Sequence, residues 1–335
     1  MIISRTPFRV SLFGGGSDYP AWYLNQGGGS VMGFAINKYC YINLRRRPPF
    51  FAHKHRIIYT RIENVNDITE IEHPAVRAVL SEMQVQKGIE IHHDADLPAR
   101  SGLGSSSAFT VGLLNAMNAL RGRMVTKDYL GLEAIRIEQD VIKESVGSQD
   151  QIWASHGGMN RINFRSDGSI EVMPIIISAD RRRQLTDHMM LVFTGFSRYA
   201  DQIASKKIAN LGKKEQQIRA MLAMVDEAVD ILTDNDRPIT EIGTLLHDSW
   251  MLKRGLADVV TSPEIDAIYD AAREAGAIGG KLLGAGGGGF MLFFVEPHRQ
   301  AAVRERLNTL IHVGIDVDTV GSRIVVYEPD GLEHA

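Results

Sequence analysis

Between a strand-like run and a helix-like run lies Leu97-Pro98-Ala99-Arg100-Ser101-Gly102-Leu103-Gly104-Ser105-Ser106-Ser107, a composition suited to holding an anion. Glycines let backbone amides approach a charged group closely, and the unpaired N–H groups of a helix's first turn, with the helix dipole, favour phosphate. Serine hydroxyls add donors to phosphate oxygens, or an oxygen for a hard cation. The chemistry that fits is binding of nucleotide phosphates by Arg100, Ser101, Gly102, Leu103, Gly104, Ser105, Ser106 and Ser107. The same residues also read as a plain strand-to-helix turn with a serine N-cap. Three serines after two glycines are more than a cap requires.

Two familiar nucleotide loops are excluded. A Walker loop needs a glycine five residues before its Gly-Lys pair, and Gly280-Lys281 has Ala275 there and Leu282 after it. Gly284, Gly286 and Gly289 satisfy G-x-G-x-x-G, but that run leads into the strand-like FMLFFV instead of opening a helix, so the Rossmann reading fails on context.

The elements that must position this chemistry follow from periodicity. Strands are predicted to Leu12, over Ser30 to Leu44, over Ile57 to Ile62 and over Ile89 to Ala95, with a helix over Pro74 to Met83. Helices follow over Ser105 to Leu120 and Lys127 to Lys143, then paired strands around a Ser166-Asp167-Gly168 turn. A new strand begins near His188. Helices are then expected near 200–210, 213–233, 238–256 and 263–275, before strands and one helix finish the chain. This order implies an α+β fold in two domains, 1–185 and 186–335, with the site in the cleft between them.

At 335 residues and 44% hydrophobic content the chain can bury two cores. Its net charge of -3, with both signs interspersed, gives no reason to expect a nucleic-acid or membrane partner. A lone cysteine, Cys40, excludes an intrachain disulfide and fits a cytoplasmic setting. The N-terminus lacks the pattern of a secretion signal, and no uncharged apolar run reaches the roughly 20 residues that span a bilayer. A monomer or a homodimer is expected.

Three motifs, in order and separation, resemble those of the GHMP kinases, which include galactokinase, homoserine kinase and mevalonate kinase. They are Pro7-Phe8-Arg9-Val10-Ser11-Leu12-Phe13-Gly14-Gly15-Gly16-Ser17-Asp18, the Pro98 to Ser107 loop, and Lys281-Leu282-Leu283-Gly284-Ala285-Gly286-Gly287-Gly288-Gly289-Phe290. The resemblance implies the two-domain GHMP kinase fold, a β-rich N-terminal domain and an α+β C-terminal one, and transfer of phosphate from ATP to an alcohol. The Phe-Gly-Gly-Gly-Ser-Asp form is similar to that of bacterial heptose kinases and fucokinases, and lacks the glutamate with which galactokinases read their sugar. It implies the C1 hydroxyl of D-glycero-D-manno-heptose 7-phosphate as acceptor, in nucleotide-activated heptose synthesis for surface polysaccharide. Its rivals are L-fucose, an unphosphorylated heptose, or a catalytically silent sugar sensor of the same fold.

The resemblance also distributes roles. Glu138, twelve residues before Asp150, would bind Mg²⁺ with Ser106, oxygen donors suited to a hard cation. Asp150 would orient or deprotonate the hydroxyl, with Arg9 beside it stabilising charge on the transferring group. Asp18 would accept sugar hydroxyls, helped by Gly16 and Ser17; Ser-Asp-Tyr-Pro is also good turn chemistry. Gly286 and Gly287 would close over substrate and phosphates, where a tight hairpin bend is the plainer alternative. A phosphorylated sugar needs a second anion site. The available cations are Arg45–Arg47, Lys54, Arg56, Arg181–Arg183, Arg198 and Lys206–Lys207, of which Arg198, just past a predicted strand end, is preferred. His92 and His93 lack metal spacing and read as surface or structural.

Overall fold

In the computed structural model, residues 1–195 and 214–329 are described. The chain opens with β1 (Ile2–Phe13), a four-residue helix α1 (Pro20–Tyr23) and the long β2 (Gly29–Arg46), followed by β3 (His55–Ile58) and β4 (Ile62–Val65). Helix α2 (Pro74–Glu82), strand β5 (Ile89–Ala95), and helices α3 (Ser105–Leu120), α4 (Lys127–Arg136) and α5 (Asp150–His156) come next. They lead to β6 (Met159–Phe164), β7 (Ile170–Pro174), α6 (Ala179–Asp187) and β8 (Met189–Phe193). The remainder is α7 (Glu215–Thr233), α8 (Thr240–Arg254), α9 (Pro263–Glu274), β9 (Gly279–Leu282), β10 (Phe290–Phe294), α10 (Gln300–Arg306), β11 (Ile311–Val313) and β12 (Arg323–Tyr327).

Two sheets result. The first runs β12-β1-β2-β5-β3-β4, with β6 paired to β2 and β7 to β6; the second is the antiparallel set β11-β8-β10-β9. Strand β2 serves two partners because of its length: Gly29 to Phe34 pair with β6, and Cys40 to Arg46 pair with β5. Helix α3 is buried over most of its length, as expected of a helix apolar on nearly all sides. It lies on the first sheet, where Ser4 Oγ donates to the Gly112 carbonyl at 2.8 Å. That packing fixes where the N-terminus of α3 points.

The single strand expected over Ile57 to Ile62 is instead two, β3 and β4, paired antiparallel across a turn. Helix α4 stops at Arg136 and passes into a five-residue π turn, Ile137–Val141, short of the expected Lys143. The helix expected near 200–210 lies outside the described residues. We propose two units divided near residue 185, at the end of α6, with β12 returning to pair with β1 in the first sheet. One continuous core joins them, since Phe8, Phe34 and Leu114 belong to the same buried cluster as Leu283, Leu292 and Phe294. Among the described residues no helix is long and apolar enough to cross a membrane.

Candidate active site

A cavity opens where the units meet. From the first come Arg9 and Ser11 on β1, Gly15, Gly16, Asp18 and Tyr19 after it, the Arg100 to Ser107 loop and the Ser145 to Asp150 segment. From the second come Met221 on α7, Lys253 on α8, Lys281 on β9, and Gly284 and Ala285. Arg9, buried on a central strand, grips Asp150 in a two-pronged bond: Nε to Oδ1 and Nη2 to Oδ2, each 2.7 Å. Its Nη1 donates at 2.7 Å to the Gly102 carbonyl. One guanidinium thus fixes the expected acceptor-orienting carboxylate and ties it to the expected phosphate loop, a use of planar fork geometry that lysine does not reproduce.

The N-cap of α3 is Gly104, in the left-handed region at φ +75°, with no side-chain cap, so the serine-cap reading does not hold. The Ser105 hydroxyl instead accepts from the Arg100 N–H at 3.1 Å. The first-turn residues of α3, Ser105 to Ser107, line the cavity, where an anion would satisfy their N–H groups. A Cβ on Gly104 would lie 3.2 Å from Arg9 Cγ and 3.3 Å from Asp150 Oδ2, so the loop packs directly on the Arg9–Asp150 pair.

Several expected contacts are corrected. Leu103 points into the core, and its carbonyl accepts from the Arg9 N–H; Ser101 is buried and its side chain does not line the cavity. Ser17 is fully buried, its hydroxyl bonded to the Gly14 and Ser30 carbonyls, so it braces the first loop and does not reach a substrate. Gly286 and Gly287 turn toward Val260 and lie off the cavity, which Gly284 and Ala285 line instead. Their glycine run serves backbone contact: a Cβ on Gly284 would come within 2.5 Å of Gly102 Cα, and one on Gly289 within 2.2 Å of the Ser101 carbonyl. Asp18 does line the cavity, its Oδ1 accepting from the Gly16 N–H at 2.9 Å and its Oδ2 from Gln149 Nε2 at 2.7 Å.

Glu138 sits in the π turn, a local widening that recurs at functional sites. It is buried behind the serines, and Oε2 accepts from Ser107 Oγ at 2.9 Å and from Gln151 Nε2. The hydroxyl bonded to Glu138 is that of Ser107, while Ser106 stands exposed at the cavity. Burial pushes the Glu138 carboxyl up to about 7, against hydrogen bonds from Thr110, Gln151 and Ser107 that pull it down. Oε1 is buried without a hydrogen-bond partner in good geometry. Among the described residues no group of three acidic, histidine or cysteine side chains is placed to hold a metal ion. Mg²⁺ commonly uses one or two carboxylates with phosphate oxygens and water, so a lone carboxylate with a bare oxygen and neighbouring hydroxyls fits it.

A carboxyl with a higher pKa folded than unfolded favours folding fully below its ordinary value of 4.5, and loses that contribution as pH rises through about 7. Metal-free Glu138→Gln, which mimics the protonated acid, should therefore be about 1–3 kcal/mol more stable than the parent chain at pH 8 and no more stable at pH 4. Chelated thermal melts at the two pH values check this; an equal difference at both would remove the role of ionisation.

Comparison with known proteins fits this geometry. Residues 69–158 match the family described as GHMP kinases N terminal domain, and residues 208–312 match GHMP kinases C terminal. The chain belongs to the GHMP kinases. It is an ATP-dependent phosphotransferase with an alcohol as acceptor. It is 29% identical over 317 residues to the D-glycero-alpha-D-manno-heptose 7-phosphate kinase of Campylobacter jejuni, covering 89% of this chain and 91% of that one. It is 25% identical to the L-fucokinase/L-fucose-1-P guanylyltransferase of Bacteroides fragilis, over 91% of this chain and 36% of that protein. Among solved structures, the fold matches a D-glycero-D-manno-heptose 1-phosphate kinase from Bacteroides thetaiotaomicron at TM-score 0.77 and 23% identity, covering 98% and 100% of the two chains. The galactokinase of Lactococcus lactis matches at 0.74 and 17%, covering 96% and 94%.

Three cavity residues of this GHMP kinase escaped the reading of its sequence. Lys253 Nζ donates to the Leu282 and Gly284 carbonyls at 2.7 Å each, holding the glycine turn in place. Lys281 Nζ reaches from the second unit to the Leu12 carbonyl at 2.6 Å, beside the first motif. Tyr19 is buried at the cavity, and burial, then the charges of Asp18 and Asp150, push its phenol up, so it remains neutral. Helical spacing gives no reason to single out Lys253, and Lys281 stands at the head of the third motif, whose glycines draw the functional reading.

Other cations of the kinase have structural work. Arg181, expected among the anion-binding clusters, is buried and donates to the Asp234 and Arg237 carbonyls after α7. Arg45 and Arg47 pair with Glu90 on β5, and His92 joins them there. His93 packs edge-on against Phe109. Arg198, together with Lys206 and Lys207, lies outside the described residues.

Proposed function

We propose that this kinase transfers the γ-phosphate of ATP to the C1 hydroxyl of D-glycero-D-manno-heptose 7-phosphate, giving a heptose 1,7-bisphosphate for nucleotide-activated heptose and surface polysaccharide synthesis in the cytoplasm. The observation that carries the reading is the Arg9 guanidinium bridging Asp150 to the Gly102 carbonyl, which sets a hydroxyl-orienting carboxylate against an uncapped helix N-terminus. The loop amides of Gly102 and of Gly104 to Ser107 would hold the phosphates, and Asp150 would align the sugar hydroxyl with the γ-phosphorus. Alignment and charge neutralisation are most of what phosphoryl transfer asks of a protein. Mg²⁺, held by Glu138 and the Ser106–Ser107 hydroxyls, would neutralise phosphate charge when bound.

The substrate class is supported by the lining. Four cationic side chains, Arg9, Arg100, Lys253 and Lys281, line the cavity together with two carboxylates, Asp18 and Asp150. That excess suits two anionic substrates. The heptose itself rests on likeness to the Campylobacter enzyme. The names of the heptose relatives differ in the phosphate they mention, so the product decides the matter. ATP and heptose 7-phosphate should yield a species with a new anomeric phosphorus resonance and a phosphorus-coupled H1 in NMR. Turnover of L-fucose or unphosphorylated heptose at equal efficiency would overturn the acceptor.

A further inference from the structure

Gln149 immediately precedes Asp150, lines the cavity, and plays no part in the roles assigned above. Its Nε2 donates to Asp18 Oδ2 at 2.7 Å. Only the NH₂ end of an amide can donate to a carboxylate, so this bond fixes the side-chain orientation and makes the other end an acceptor. That acceptor, Oε1, is buried and has no hydrogen-bond partner. Around Asp18 the structure leaves little slack: the Gly16 N–H holds Oδ1, and a Cβ on Gly147 would stand 1.9 Å from Oδ2. Buried acceptors are ordinarily satisfied, and a bare one beside a ligand cavity calls for an explanation.

We propose that Gln149 is a specificity-determining residue for the acceptor alcohol: its Oε1 takes a hydrogen bond from one hydroxyl of a polyol, while its amide holds Asp18 to accept from a neighbouring hydroxyl. The inference rests on reading the cavity as that of a sugar kinase. A vicinal diol is the chemistry recognised, because two acceptors joined by one hydrogen bond present themselves side by side. A substrate lacking the hydroxyl aimed at Gln149 leaves the buried oxygen bare, and discrimination of this kind is steep.

The experiment begins with ADP release over a panel of sugars and sugar phosphates, to identify the acceptor used. Each monodeoxy analogue of that acceptor is then compared in the wild-type kinase and in Gln149→Met, which keeps the length and removes both polar ends. One analogue should raise KM by about tenfold to a hundredfold in wild type, and that penalty should fall toward unity in Gln149→Met while KM for ATP is unchanged. A residue that only braced Asp18 would lower affinity for every analogue alike, and that pattern overturns the proposal. If Gln149→Met does not fold, Gln149→Ala replaces it with the same penalty expected to fall toward unity; no single hydroxyl mattering more than about twofold in wild type would also refute selective acceptance. Use of a sugar other than heptose 7-phosphate removes the proposed substrate and leaves Gln149 testable with the new one; failure to bind any polyol removes both.

Discussion

Asp150→Asn is expected to lower turnover by about a hundredfold or more, with ATP binding nearly unchanged, because the substitution removes a positioned acid-base group and leaves the phosphate loop intact. The local geometry says why asparagine is the informative change. Arg9 uses Nε and Nη2 on the two oxygens of Asp150 and Nη1 on the Gly102 carbonyl. Asparagine keeps one acceptor for the fork and turns an NH₂ toward the other donor, so the pair weakens without emptying the space. Hydrogen bonds to charged groups contribute about 1.5–3 kcal/mol, so a stability loss of about 2 kcal/mol should accompany the kinetic effect. Melting curves and single-turnover assays at saturating ATP separate the two. A folded variant that binds ATP and retains wild-type turnover would remove Asp150 from the chemistry.

The parts of the site that could be read from sequence are those whose side chains act through type and local spacing. The loop at Gly102–Ser107 announces itself because glycine and serine before an apolar helical run suit few other purposes, and α3 stands where its periodicity put it. Arg9 and Asp150 lie 141 residues apart, and only likeness to a family paired them. Local pattern could not reveal contacts made by backbone across the two units. Ser17 reads as a substrate ligand by its neighbours but is consumed by the carbonyls of Gly14 and Ser30. Lys253 and Lys281 look like ordinary lysines of a helix and a strand, and tertiary packing alone turns them toward the cavity. The π turn at Glu138 was equally hidden, since a helix periodic enough to continue gives no notice of one wider turn.

Gly102→Ala should be a strongly damaging single-methyl change in the phosphate loop. Gly102 has φ +83°, and an added Cβ would lie 2.6 Å from the Leu283 carbonyl oxygen and 3.0 Å from its carbon, atoms of backbone that no rotamer change can move. Leu283 is pinned by its N–H on the Phe290 carbonyl, and the following Gly284 carbonyl by Lys253. The phosphate loop must therefore shift, loosening Arg9 Nη1 from Gly102. The left-handed backbone costs alanine about 1–2 kcal/mol and overlap about 1–3 more, so stability should fall by about 2–5 kcal/mol and ATP affinity by about tenfold or more. Gly122→Ala separates the two causes, because Gly122 also has positive φ, at +67°, but meets nothing within 4 Å. It should show only the conformational cost, with ATP affinity unaltered. Equal losses in the two variants, by melting and by nucleotide titration, would mean that the contact between the two glycine runs does not hold the phosphate loop in place.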